Sequence, residues 1–158
     1  MQQFKLEIGP PYFSNWPALH QLLVDSFAYM EGRIDPPSSL NRMSPETLRE
    51  KSAEETLIIV WLDDVVVACG FLKETADTIY LGKLAVHEDM RGRGILRKIM
   101  AAAECFAEAQ GKQALELQTR VELTENHQTF AALGFVQTGT TAHAGYDRPT
   151  SITMRKEL

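Results

Sequence analysis

KLAVHEDMRGRGILRKIM, Lys83 to Met100, is the stretch on which the reading of this chain turns. An apolar, strand-like run ends at Val86, and a helical pattern begins a few residues later. Between Arg91 and Lys98 stand four basic residues, Arg91, Arg93, Arg97 and Lys98, together with Gly92 and Gly94. A helix start offers unpaired N–H groups and a partial positive charge, so it attracts anions. Glycines let the backbone come close to what is bound. Strand, glycine turn and helix in this order point to a phosphate cradle at Arg91–Leu96. The plainer alternative is a turn whose glycines serve geometry and whose arginines are solvated. A Walker A loop is excluded, because no Lys-Ser or Lys-Thr pair follows a glycine here. The dinucleotide pattern GxGxxG is half present, since GRGILR puts Arg97 where the third glycine belongs.

The chain around this turn is acidic. Its 158 residues carry a formal net charge of −5, with 44% apolar and 23% charged residues. That balance suits one globular domain with a real core. It argues against nucleic acid as the main partner, which needs a broad basic face. A local cradle for a small phosphorylated ligand remains compatible with it. Cys69 and Cys105 lie in no CxxC pattern and read as two buried apolar thiols in a reducing compartment. The N-terminal MQQFKLEIGP has no apolar signal core. The longest apolar run, Val65 to Leu72, is far short of the roughly 18 residues a membrane helix needs. A soluble, cytoplasmic protein with no membrane partner is expected.

Outward from the turn, the elements follow from period and punctuation. Phe4–Ile8 alternates and predicts a first strand. Asn15 to about Tyr29 has helical spacing at Leu19, Leu22, Leu23, Phe27 and Met30, with Ser14 or Asn15 as cap and Pro17 in the first turn. Glu31–Ser39 is a loop, because its paired prolines forbid helix. Ser44-Pro45 starts a second helix running to about Ala53; Ser44 and Thr47 do not make a full capping box. Thr56–Leu62 and Val65–Leu72 predict an antiparallel hairpin across Asp63-Asp64. Thr78–Val86 is the next strand. Gly92–Gln110 is a helix with Ile95, Ile99, Ala102, Ala103 and Phe106 on one face and Gly111 beyond its end. Ala114–Thr119 is a strand, Asn126–Leu133 a short helix stopped by Gly134, and Phe135–Thr140 and Ser151–Leu158 close the chain as strands. The order is β-α-α-β-β-β-α-β-α-β-β: one mixed α/β (α+β) domain over residues 1–158.

LAVHEDMRGRGILRKIM resembles motif A of the GCN5-related N-acetyltransferases, the GNAT superfamily. The family signature is Arg/Gln-x-x-Gly-x-Gly/Ala after a strand ending in Leu-x-Val. Arg91, Gly94 and Leu84-Ala85-Val86 match, whereas Leu96 stands where the family usually has Gly or Ala. NHQTFAALGF resembles motif B, in which an Asn lies early in a short helix ending in Gly-Phe. The element order is similar to the family's over nearly the whole chain.

The resemblance implies a GNAT fold: a mixed sheet of about seven strands with helices on both faces. It implies that Thr78–Val86 and Ala114–Thr119 are a parallel pair that splays into a wedge for acetyl-CoA. The backbone of Leu84 and Val86, with Ala85 between them, is then expected to bind the pantetheine arm. The amides of Arg91, Gly92, Arg93, Gly94, Ile95 and Leu96 are expected to hold the pyrophosphate, with Asn126 and Phe130 also against the coenzyme. The expected reaction is direct acetyl transfer, in a ternary complex, to a primary amine of a small molecule or peptide.

The family often protonates the leaving thiolate from a Tyr four residues before the Gly of Gly-Phe. Here that position is Phe130, which cannot donate. His143 and Tyr146, in the loop Ala142–Ser151, are the candidate replacements, and Tyr80 on the central strand could orient a water. His87 reads as a turn residue with no ligand contact. Arg33 is a candidate for a substrate carboxylate, and Asp35 or Glu31 for its ammonium; solvated charges are the alternative for all three. No metal-ligand spacing or Ser-His-Asp arrangement is present, so no metal is expected. A homodimer is expected as a partner only because dimers are common in the family. Against the enzyme stands a non-catalytic acyl-CoA-binding or regulatory module with the same fold, for which the absent Tyr at Phe130 speaks. A nucleotide-binding domain is the weaker third alternative.

Overall fold

The dense β-branched runs form the middle of a sheet, and the amphipathic segments cover its two faces. The computed structural model describes residues 3–158. Its elements are β1 (Phe4–Ile8), α1 (Trp16–Phe27), α2 (Pro45–Glu54), β2 (Thr56–Leu62), β3 (Val65–Glu74), β4 (Thr78–Val86), α3 (Ile95–Ala109), β5 (Ala114–Arg120), α4 (Thr124–Ala132), β6 (Val136–Thr141) and β7 (Ser151–Glu157), with single 3₁₀ turns at Ala28–Met30, Ser39–Arg42 and Glu88–Met90. Among the described residues one seven-stranded sheet runs in the order β1-β2-β3-β4-β5-β7-β6. Its pairs are antiparallel except β4 with β5. This is the mixed sheet that the order of elements predicts.

Local chemistry explains the element ends. Leu62 faces Val65 across the two-residue turn between β2 and β3, and Asp63 takes φ 52 there, a conformation Asp tolerates better than most residues. Asn15 caps α1, accepting from Ala18 N at 3.3 Å. At α2 the structure corrects the sequence reading, because the capping box is complete. Thr47 N donates to Ser44 Oγ at 3.3 Å and Ser44 N donates to Thr47 Oγ1 at 2.8 Å. A threonine hydroxyl is long enough to do what Glu or Gln usually does in this motif. The basic turn also differs in detail. Helix α3 begins at Ile95 rather than at Gly92, because Gly92 and Gly94 both take φ 78, and left-handed residues cannot continue a right-handed helix.

Two apolar cores result. On one face Ile95, Ile99, Met100, Ala103 and Ala107 of α3 pack on Ile79, Leu81, Leu115 and Leu117. On the other, Leu19, Leu22 and Leu23 of α1 and Leu48 of α2 pack on Ile59, Cys69, Phe71 and Ala85. Cys69 is buried as expected, and burial lifts its thiol to about 12. Cys105 is exposed, contrary to the expectation of two buried thiols. It falls two residues from both Ala103 and Ala107, and on a 3.6-residue period that is the solvent side of α3. Among the described residues no helix is long and apolar enough to cross a membrane.

A bulge in β4 decides where its side chains go. Phe71 of β3 faces Gly82 and Cys69 faces Ala85, so Lys83 and Leu84 together oppose Gly70. Lys83 takes φ 49 there. One extra residue exchanges the faces of everything after it. Ile79 and Leu81 point into the α3 core, yet beyond the bulge it is Leu84 and Val86 that lie against that core, while Ala85 joins the other. Lys83 is thereby carried off the α3 side onto the α1 side, where its Nζ lies 6.0 Å from the centroid of the Phe27 ring. Gly70 makes room for the change: a Cβ there would meet Leu84 Cδ2 at 2.9 Å.

Candidate active site

Strands β4 and β5 pair from Thr78↔Ala114 to Leu81↔Leu117 and then part. Beyond that point β5 continues beside β7, Gln118 facing Thr153 and Arg120 facing Ser151. The β5-facing edge of Gly82–Val86 therefore has no strand beside it. An exposed strand edge is a row of donors and acceptors ready for an extended ligand. The gap opens into a cleft of about 1170 Å³, slightly above the range typical for drug-sized ligands.

One end of the cleft is backbone. Arg91, Gly92, Gly94, Ile95, Leu96 and Arg97 line it. Gly94 is the N-cap of α3 and offers no side-chain cap, and the first helical bond across it is Lys98 N to Gly94 O at 3.1 Å. The amides of Ile95, Leu96 and Arg97 thus lie in the unpaired first turn. A Cβ at Gly92 or Gly94 would meet nothing within 4 Å, so open space adjoins both. Glu88–Met90 leads into the turn, and His87 caps it by accepting Asp89 N on Nδ1 at 3.1 Å. His87 is a turn residue, as the sequence suggests. Lys98 is turned toward the Phe4 ring, 5.5 Å from its centroid, and neither it nor Arg93 lines the cleft.

The other end is side chains from distant segments. Tyr80, Leu84, Ala85, Val86, Asn126, Phe130, Arg33 and His143 line the same cleft, so most of the candidate residues are brought together. Phe130 packs edge-on to Phe135, with centroids 6.1 Å apart. Glu31, Asp35 and Tyr146 do not line the cleft. Tyr146 donates its hydroxyl to Asp35 Oδ1 at 2.6 Å, and Arg148 NH2 donates to Asp35 Oδ2 at 2.9 Å. Arg33 grips both oxygens of Glu125 at 2.8 and 2.9 Å. These contacts strap the 31–39 loop to the 142–151 loop and to α4. Two of the three charges expected to meet substrate, Arg33 and Asp35, are engaged with the protein itself.

The titrating groups reflect this arrangement. Burial lowers Lys83 to about 8, helped by the nearby charges of Lys51, Arg120 and Arg42 and opposed by Glu55. Partial desolvation, then Arg120 and Arg42, hold His143 below its ordinary value, against Glu122. Burial raises Tyr80, with Glu116 adding to the effect and a hydrogen bond from the Gln118 backbone opposing it. The bond to Asp35 is the first cause that raises Tyr146.

Sequence reasoning missed several lining residues. Tyr29 accepts a bond from Asn126 Nδ2 at 3.0 Å, and no period or motif marks it. Arg42, Lys51 and Arg120 read singly as surface charges. Lys83 sits inside the stretch that decides the fold, and only the bulge gives it a role. Among the described residues no group of three or more His, Cys, Asp or Glu side chains could hold a metal ion.

Comparison with known proteins agrees with this geometry. The family model described as "Acetyltransferase (GNAT) family" matches residues 16–135. Among solved structures, the chain is similar to the PaiA N-acetyltransferase of Thermoplasma acidophilum in complex with coenzyme A, at TM-score 0.80 and 15% identity over 98% of this chain and 99% of that one. It is also similar to an acetyltransferase of Streptococcus agalactiae 2603, at TM-score 0.73 and 21% identity over 100% of both chains. A third is a GNAT family acetyltransferase of Elizabethkingia anophelis with acetyl-CoA bound, at TM-score 0.69 and 15% identity over 98% of each chain. No curated protein matches the sequence.

Proposed function

The chain belongs to the acetyltransferase (GNAT) family, and from that premise we propose that it transfers an acetyl group from acetyl-CoA to a primary amine of a small molecule or peptide, by direct attack in a ternary complex. The observation that carries this is the unpaired β4 edge running into the side-chain-free start of α3. An extended arm fits along the edge at Leu84, Ala85 and Val86. A diphosphate fits the amides from Gly92 to Leu96, with Arg91 and Arg97 beside it and Arg93 on the same turn; the Arg91 amide, also expected to hold it, donates instead to Glu88 O at 3.3 Å. The openness at Gly92 and Gly94 makes the fit sterically free. Acetyl-CoA supplies an activated acyl group as a thioester.

The protein's part is to position, to polarise and to move protons. Transfer forms a C–N bond and breaks the C–S bond. The ammonium loses two protons; one ends on sulfur and one is released. In this reading a backbone N–H of β4 polarises the thioester carbonyl. His143 lines the cleft, and desolvation with the nearby Arg120 and Arg42 charges favours its neutral imidazole, the form that can take a proton from the ammonium. Tyr80 can orient a water. Tyr146, occupied by Asp35, serves best as a positioning residue for the acceptor loops. Phe130 provides no proton and packs beside Asn126 along the arm.

The test is release of free thiol from acetyl-CoA over an amine panel, with acetyl-CoA binding measured in parallel. Amine-dependent thiol release is expected. Tight binding with no release by any amine makes the protein the acyl-CoA-binding module that the missing phenol of Phe130 would allow. Replacing His143 with Ala together with Tyr146→Phe is expected to lower turnover at least tenfold with little change in acetyl-CoA affinity. Normal turnover would clear both residues.

A further inference from the structure

The acceptor half of the cleft is electrically one-sided. Arg42, Lys51, Lys83 and Arg120 all line it. They come from four segments: the 3₁₀ turn Ser39–Arg42, α2, β4 and β5. Lys51 Nζ has a carboxylate, Glu55 Oε2, at 2.8 Å. Arg120 donates to the neutral carbonyls of Pro36 at 2.7 Å and Pro37 at 3.2 Å, so its charge is held in place but not balanced by an ion pair. Lys83 Nζ meets a neutral hydroxyl, Ser39 Oγ, at 2.6 Å. Arg42 has no ion-pair partner among the described residues. Two acids of this region are committed elsewhere, Glu125 to Arg33 and Asp35 to Tyr146 and Arg148; Glu122 Oε2 accepts from the Asp35 amide at 3.1 Å, while its Oε1 is buried without a partner and its charge acts on Arg120 and His143 rather than on Lys83.

A second observation comes from α1. Ser26 is only 6% exposed, its Oγ has no hydrogen-bond partner, and it lines this cleft. It directly precedes Phe27, the ring beneath Lys83 Nζ. Buried hydroxyls are ordinarily paired, and an unpaired one facing a cleft marks a place for a ligand atom. Cations that no carboxylate balances, here Lys83 and Arg42, and a buried donor are what a carboxylate or phosphonate requires. The mutual repulsion that helps depress Lys83 is relieved when an anion enters.

We propose that the acceptor amine carries its own oxyanion group, which Lys83, Arg42 and the Ser26 hydroxyl hold while the amino nitrogen faces the wedge between β4 and β5. This rests on the acetyltransferase reading above and names its substrate class. The site selects amino acids, aminoalkyl phosphonates or peptides with an acidic end, and it repels polyamines. The anion-binding role that Arg33 suggests in the sequence falls instead to residues that no motif marks.

The test uses the full chain and matched acceptors. β-Alanine is compared with β-alaninamide, glutamate with its diamide, 2-aminoethylphosphonate with ethanolamine, and spermidine is added; thiol release is the readout. The best acceptor is expected to be an acid that exceeds its neutral partner at least tenfold in kcat/KM. Arg42→Gln is expected to narrow that ratio by raising KM for the acid. A neutral amine or spermidine as best acceptor overturns the proposal, and so does a ratio unchanged in Arg42→Gln. The carboxylate and phosphonate arms separate the two kinds of oxyanion. Binding of N-acetyl-β-alanine and its amide to the CoA-loaded protein is measured as well. Acid-selective binding without any thiol release keeps the anion site and removes the reaction. Turnover without acid preference keeps the reaction and removes the anion site. Neither binding nor turnover removes both.

Discussion

The two ends of the cleft are built on opposite principles. At the start of α3 the proposed anion site is backbone: two left-handed glycines, a first turn of unpaired amides and arginines within a few residues. At the acceptor end the site is side chains, brought from α1, the 39–42 turn, α2, β4 and β5. The first is local in the chain and survives wherever the strand–turn–helix forms. The second exists only if five segments converge and a bulge turns Lys83 to the correct face. Local sites are therefore read from motifs, whereas assembled sites follow from which charges the fold leaves unpaired.

The difference can be broken from either side. The largest effect is expected for Gly94→Asp. A left-handed non-glycine residue is strained, and the carboxylate faces the diphosphate. Two like charges about 4 Å apart near a protein surface repel by about 4 kcal/mol, so acetyl-CoA affinity measured calorimetrically should fall by at least ~100-fold. Unchanged affinity with a folded circular-dichroism spectrum removes the phosphate assignment.

Phe130 stands between the two ends and tests whether its ring is structural. It is partly buried against the α3 core. Phe130→Ala should cost about 2 kcal/mol, less than a fully buried Phe, and lower Tm by roughly 4–8 °C. A Tm within 1 °C of the parent, as an order-of-magnitude bound, would show that the ring serves only ligand.

Lys83 sharpens the comparison through pH. Its folded value near 8 lies below the ordinary 10.5. Between these values the unfolded chain binds more protons than the folded one, so stability rises with pH across that window. Below about 8 both states are protonated and the penalty is complete. Above 10.5 both are neutral and it vanishes. The parent protein should accordingly gain on Lys83→Met as pH climbs from about 8 to 10.5. Parallel Tm curves for the two proteins across that range would remove the buried, cation-crowded placement of this side chain.

The smallest effect serves as the control. Ser44→Ala removes the hydroxyl that accepts Thr47 N and leaves the backbone donor to Thr47 Oγ1 in place, and should cost about 1 kcal/mol, or roughly 2–4 °C. Thiol release and acetyl-CoA affinity should not move. If either shifts several-fold, the two ends are coupled through α2 and are not independently built.

Much of the fold was legible because each element is written locally. The β2–β3 hairpin follows from two β-branched runs and Asp63-Asp64. The start of α2 follows from Ser44-Pro45, and the end of α3 from Gly111. What failed locally failed for stated reasons: Thr47 closing the capping box, Gly92 holding the helix back to Ile95, and Cys105 on the outer side of α3. At the site, sequence named Arg91, Gly94, Asn126, Phe130 and His143 around one cleft. It did not show that Arg33, Asp35 and Tyr146 bond to the protein itself, because contacts between segments 90 and more residues apart leave no trace in spacing.

The sequence by itself determined the strands, the helices and the glycine turn that leads into the start of α3, the proposed anion site. These depend on dihedral preference, periodicity and hydrogen bonding within a few residues. Only the tertiary structure decided that β4 bulges at Lys83 and parts from β5. It also decided that Arg33, Asp35 and Tyr146 are satisfied by the protein while Arg42 and Lys83 have no ion pair among the described residues and Ser26 Oγ has no hydrogen-bond partner. Charge compensation is set by distances in space, and residues far apart in the chain acquire those distances only when the sheet and its loops are assembled.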